Sequence, residues 1–210
     1  MNREYVDMEN FPRKGQFEHF IKMAFPCVGF TVNMDITKFR KEIKEKDYPF
    51  FHTMLYRTMA ALNSVPQLRQ RIAEGRVVQY DVCEPTYTLA LPDETYCYCH
   101  LRCDMPFDEF LPYAEKRKDA AIKARSMDDG DDFLGYVFVS SVPWISFCDA
   151  TQPMDIPADG IPRILFGKFF EQGEKILLPV NILTHHALTD GFHLSKFYER
   201  LQKLLDGEEI

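Results

Sequence analysis

The segment KILLPVNILTHH (175–186) constrains the fold most. Apolar residues stand on consecutive positions, so a strand built from it is apolar on both faces. Such a strand belongs inside a sheet with helices over at least one face. CVGFTVNMD (27–35), GRVVQYD (75–81), PTYTLALP (85–92), TYCYCHLR (95–102) and GYVFVSSVPW (135–144) also read as strands, rich in β-branched and aromatic residues. RILFGKFFE (163–171) and KILLPVNILTHH flank Gln172-Gly173-Glu174, a short hairpin signal. The chain is predicted to be α/β, with one large sheet.

The helices sit between these strands. KGQFEHFIKM (14–23) is read as a short one. Asp35 caps a second over 36–46, where Ile36, Phe39 and Ile43 recur at helical spacing. After Pro49 comes FFHTMLYRTMAALNSV, whose buried face is Phe51, Met54, Leu55, Thr58, Met59 and Leu62. A fourth helix starts at Pro106, with Phe107, Phe110, Leu111, Ala114, Ala121 and Ile122 as its apolar stripe. The last runs over 191–205, turns Leu194, Phe197, Leu201 and Leu204 inward and stops at Gly207. SMDDGDD (126–132) is an acidic loop. No repeat or Gly/Ser linker divides residues 1–210, which favours one domain.

Charge narrows the function classes. The net charge of −7 gives no nucleic-acid footprint. The densest basic run, KFRKEIKEK (38–46), alternates with glutamate and reads as a solvated helix face. No apolar run approaches the roughly 20 residues of a membrane span, and the polar N-terminus lacks a signal-peptide core. Six cysteines without such a signal suggest reduced thiols and a cytoplasmic location. No metal is expected: Cys97, Cys99 and Cys103 have poor zinc spacing and read as strand fillers.

THHALTDGFH (184–193) lies where the longest strand ends and the last helix begins, a place where scaffolds present functional groups. The residues alone leave three readings. Both histidines can be satisfied polar groups at a strand end. They can be metal ligands, which their opposite facing on a strand disfavours. Or one is a neutral general base, with Asp190 capping the helix beside it.

HHALTDGFH resembles the HHxxxDGFH signature of the chloramphenicol acetyltransferases, whose HHxxxDG core is shared with wider coenzyme A-dependent acyltransferases. The likeness runs along nearly the whole chain. ENFPRKGQFEHF, FPC, DIT, YPFFHTMLYRTMAALNSVPQLR, SSVPW and GEKILLPVNILTHHALTDGFHLSKFYERLQ follow in the family's order. The resemblance implies a two-layer sandwich with a mixed, mostly antiparallel β-sheet covered by helices. It implies transfer of acetyl from acetyl-CoA to a hydroxyl of chloramphenicol in a ternary complex. Acetyl-CoA is then a co-substrate, with no permanently bound cofactor, and antibiotic resistance is the associated role. His186 matches the general base and His185 a structural neighbour. Asp190 matches the aspartate paired with an arginine, here Arg13. Ser140 matches the oxyanion donor, although Ser141 is an equal candidate from the residues alone. Trp144 and Lys168 fall beside the cofactor. The family also implies a homotrimer with active sites at subunit interfaces, and GYVFVSSV near the threefold contact.

The acceptor pocket departs from the family. Phe20 stands where a tyrosine helps hold the drug, and Leu165 where a threonine contacts it through water. Cys27 and Tyr96 resemble pocket positions, Tyr96 replacing a phenylalanine. ISFCDATQP after Trp144 leaves the family's Asn-Phe-Asp pattern. Two hydroxyls are lost, which points to a more apolar alcohol as an alternative acceptor. A binding protein without turnover is a further alternative.

Overall fold

The computed structural model describes residues 1–128 and 132–210; part of the acidic loop lies outside the described residues. In chain order the elements are β1 (Arg3–Tyr5), α1 (Lys14–Phe20), β2 (Cys27–Asp35), α2 (Thr37–Glu45), α3 (Phe50–Asn63), β3 (Gln70–Ala73), β4 (Arg76–Tyr80) and β5 (Glu84–Ala90). Then follow β6 (Tyr96–His100), α4 (Phe107–Ala124), β7 (Tyr136–Ser141), β8 (Arg163–Phe166), β9 (Phe170–Gln172), β10 (Lys175–His185) and α5 (Gly191–Leu205).

The main sheet has the order β2-β10-β8-β7-β5-β6, with β9 also pairing β10. The β7 pairings with β5 and β8 are parallel and the other ladders antiparallel. This is the mixed, mostly antiparallel sheet of the sequence reading. β10 lies between β2 and β8, which explains its apolar run: its hydrogen bonds are used on both edges.

Register sorts the side chains. Val139, Ile164, Phe166, Val180 and Ile182 face one side and pack with Met54, Met59, Phe110, Leu194, Phe197 and Leu201 of the helices. Alternation then places Thr88, Ser140, Leu165, Asn181 and Thr31 in one row across the opposite face. The helices form one layer and the sheet the other, so the second sheet face is left to carry a site.

Four local expectations change. The segment GRVVQYD does not join the main sheet; β4 forms a separate three-stranded sheet between β1 and β3. The first helix stops at Phe20, because the Ile21 and Met23 amides close its last turn onto Phe17 and Phe20. The second begins at Thr37, whose amide and hydroxyl both donate to Asp35 Oδ1, so Asp35 caps from one position further out. Ile122 is 39% exposed, not inward. Only Phe110 and Ala114 of α4 are buried, with Phe107, Leu111 and Ala121 partly covered against the core. The last turns of α4 therefore lie at the rim of the core.

Candidate active site

The turn after β10 is built by its own side chains. Thr184 Oγ1 lies 2.6 Å from Thr189 Oγ1, and the Leu188 and Thr189 amides donate back to the His185 carbonyl. The His186 amide donates to Pro26 O at 2.7 Å, tying the turn to the entry of β2. Asp190 caps α5 by accepting from the Phe192 amide at 3.0 Å.

The two histidines have different surroundings. His185 is 1% exposed, and its Nδ1 accepts from the Ala187 amide at 3.1 Å. Burial pushes its pKa down to about 4, so it is neutral at physiological pH. His186 Nδ1 lies 2.8 Å from Thr189 O. A carbonyl only accepts, so Nδ1 carries the proton and Nε2 keeps the lone pair. Phe20 stacks on the His186 ring at 4.1 Å and 25°. Phe20 thus fixes the plane of the imidazole.

Arg13 Nη1 donates to Asp190 Oδ2 at 2.6 Å, and Nη2 donates to the His186 carbonyl at 3.3 Å. One guanidinium therefore joins the aspartate to the backbone of the histidine. Burial works against ionisation of Asp190. The Arg13 hydrogen bond and the His193 ring, 2.8 Å away, outweigh it and hold its pKa below the usual value. Asp190 anchors the turn through Arg13 and the start of α5.

Ser140 lies elsewhere. Its Oγ is 2.8 Å from Thr88 Oγ1, and both line a cavity of 1040 Å³ with Tyr96, Phe138 and Trp144. Thr88 donating would free the Ser140 proton to point outward. Ser140 pairs in register with Leu165, and Leu165 with Asn181, five residues before His186. Two strand spacings across and five residues along put Ser140 about 20 Å from His186 in one chain. Cys27, opposite His185 in the β2–β10 ladder, meets Met154 at the cavity margin. Among the site residues named from the sequence, Ser140, Tyr96 and Trp144 line this cavity, whereas His186, Phe20, Arg13 and Asp190 form a second group. Leu165 sits beside Ser140 in the sheet without lining either cavity.

Lys168 lines a second cavity of 530 Å³, with Phe50, Phe51 and Phe169. Tyr87, Thr88, Ala90, Ser141 and Pro143 form a wall common to both cavities. Ser141 thus faces the second cavity as well, whereas Ser140 lines only the first. Among the described residues no group of three His, Cys, Asp or Glu side chains is placed to hold a metal ion. No helix there is long and apolar enough to cross a membrane.

The sequence reading missed several of these polar groups. Arg163 and Asp159 form a buried, two-bond ion pair at 2.9 and 2.6 Å on the first cavity's wall. His52 bonds Glu115 and Tyr87 beside the second. A histidine in the otherwise apolar start of α3 was the one visible signal of that cluster.

A sequence profile of the chloramphenicol acetyltransferase family matches residues 1–202. The chain belongs to this family. It is an acyltransferase. It is 30% identical to a chloramphenicol acetyltransferase of Clostridium perfringens over 100% of this chain and 97% of the relative. It is 29% identical to chloramphenicol acetyltransferase 3 of Escherichia coli over 99% of each. A solved chloramphenicol acetyltransferase superposes with a TM-score of 0.85 at 25% identity, covering 97% of this chain and 100% of the other.

Proposed function

We propose that the chain, acting as one domain, transfers acetyl from acetyl-CoA to a hydroxyl of chloramphenicol, with His186 as general base. The observation that carries this is the fixed tautomer: Thr189 O holds the Nδ1 proton, so Nε2 is the free base. Nε2 takes the acceptor's hydroxyl proton as that oxygen attacks the thioester carbonyl. Ser140 donates to the oxyanion, with Thr88 supporting its hydroxyl. On collapse, the coenzyme A thiolate leaves and takes the proton back from the imidazolium. No acetyl-enzyme forms.

The roughly 20 Å between His186 and Ser140 supports a site shared between copies of the chain. His186 of one subunit then meets Ser140 and the larger cavity of its neighbour, in a homotrimer. The exposed apolar side chains Phe25, Trp144, Ile145 and Ile156 suit burial in such an assembly. The acceptor occupies the larger cavity. The thioester arm enters through the Lys168 cavity, whose phenylalanine walls fit an apolar arm. The six unpaired cysteines suit a reducing cytoplasm.

A second reading has the same chemistry on a more apolar alcohol. Phe20 covers His186 with a ring that lacks a hydroxyl, and Leu165 adds none beside Ser140. Thiol release from acetyl-CoA over a panel of hydroxyl acceptors separates the readings. Turnover of chloramphenicol, lost by about 10²–10⁴-fold in His186→Ala, is the expected result. Turnover confined to other alcohols moves the assignment to the second reading. Binding without thiol release for any acceptor overturns the enzyme. Full activity in a sedimenting monomer overturns the shared site.

A further inference from the structure

The second cavity carries a polar line that none of the chemistry above uses. His52 on α3 is 2% exposed. Its Nδ1 lies 2.8 Å from Glu115 Oε1 and its Nε2 lies 2.9 Å from the Tyr87 hydroxyl. The carboxylate accepts, so Nδ1 donates and the Tyr87 hydroxyl donates to Nε2. Both histidine nitrogens are thereby used, and Tyr87 is itself 2% exposed in the wall between the cavities. Glu115 is consequently held from inside the protein.

Its other oxygen, Oε2, accepts from Lys118 Nζ at 2.6 Å. An i, i+3 pair on a free helix surface is ordinarily mobile and contributes little. Here the carboxylate is anchored by a buried ring, so the ammonium is anchored too. Lys118 has three donors and spends one on Glu115. The side chain is 34% exposed and lines the cavity with Lys168. Arg40 lies over the Phe169 ring, 4.6 Å from its centroid, and adds a third positive charge to the same side. Glu115 is the only acidic residue that lines the cavity among the described residues, and it is already engaged. Phenylalanine walls with cations around them suit a ligand that is apolar along its length and anionic at its outer end.

We propose that Lys118 binds the phosphate-bearing end of the acyl donor and sets the enzyme's preference for nucleotide-linked thioesters. This rests on the acetyl-CoA reading above and deepens it. Lys118 takes no part in bond making; it recognises the phosphate-bearing end of the donor.

The test compares acetyl-CoA with S-acetylpantetheine, which has the same thioester arm and no phosphate. Wild type and the variants Lys118→Met and Lys118→Arg are assayed for thiol release with one acceptor. For Lys118→Met the expected result is a KM for acetyl-CoA raised about ten-fold, the loss of one charge-assisted contact, with kcat unchanged. Its KM for S-acetylpantetheine stays at the wild-type value. Its KM for acetyl-CoA also rises less steeply with salt than that of wild type, and Lys118→Arg recovers most of the lost affinity. Equal effects on both donors overturn the proposal, because they report a general disturbance of α4. An unchanged KM for acetyl-CoA overturns it as well. If wild type releases no thiol from either donor, the acetyltransferase reading fails before the role of Lys118 is reached. Circular dichroism of Lys118→Met confirms the fold, since the substituted side chain is partly exposed.

Discussion

The link between Arg13 and Asp190 can be broken and weighed. Asp190→Ala removes the 2.6 Å bond from Arg13, the 3.0 Å cap bond from the Phe192 amide and the 2.8 Å contact with His193. The cap alone contributes about 1 kcal/mol. A charged hydrogen bond contributes about 1.5–3 kcal/mol. The carboxylate is 34% exposed, so water screens it and the lower end applies. The total expected loss is about 2.5–3 kcal/mol. Arg13→Leu spares the cap and costs about 1.5 kcal/mol. Because the two residues share the bond, the double variant costs less than the sum, and the cycle returns a coupling energy of about 1.5 kcal/mol. Urea unfolding of the four proteins at pH 7.5 measures it. The same samples give kcat by thiol release. Arg13 also holds the His186 carbonyl, so kcat should fall in Arg13→Leu although Arg13 touches no reacting atom. A coupling energy near zero refutes the stability argument. A lost link with full kcat refutes the claim that Arg13 holds the base in place.

Two further outcomes follow from the same geometry. Ser140→Ala should lower kcat by about 10²–10³-fold with little change in the KM of either substrate, and an unchanged kcat in a steady-state assay would remove Ser140 from the oxyanion site. His185 has a folded pKa of about 4 against an ordinary value near 6.5, because burial disfavours its charged form. Its neutral form stabilises the fold above about pH 6.5, and that contribution is lost as the pH falls toward 4. Urea midpoints of wild type should therefore drop between pH 7 and pH 4.5, by more than those of His185→Gln; parallel profiles would show that His185 does not titrate with unfolding.

Local patterns were legible because they depend on residues only a few positions apart. The helical spacing of Leu194, Phe197, Leu201 and Leu204 marked α5, and all four are fully buried. Gly173, with φ of +62°, makes the β9–β10 turn that the hairpin signal marked. The order of motifs, ending in HHALTDGFH, pointed to the chloramphenicol acetyltransferase family, whose profile matches residues 1–202. Tyr56, by contrast, was absent from the expected face of α3, although its hydroxyl donates to Met105 O across the core. The α3 helix is buried nearly all round, and no periodicity reveals that.

The sequence by itself determined the kinds of element, most of their limits and the residue types at the histidine turn. Spacing of apolar side chains, caps and turn residues is a local property, set by backbone geometry within a turn or a pleat. Only the tertiary structure decided which strands pair, and hence what stands beside what. β4 left the main sheet, Thr88 came beside Ser140, and Lys118 was tied through Glu115 to His52. The Thr88–Ser140 and His52–Glu115 contacts join segments separated in sequence by other elements. Their partners are chosen by packing and by the need to satisfy buried polar groups, which no short stretch of sequence can express. The same logic separates His186 from Ser140 by the width of two strands and five residues of β10 and its turn. The motif lies at the end of β10, and the sheet register sets Ser140 apart from it; the proposal of a site shared between copies rests on that separation.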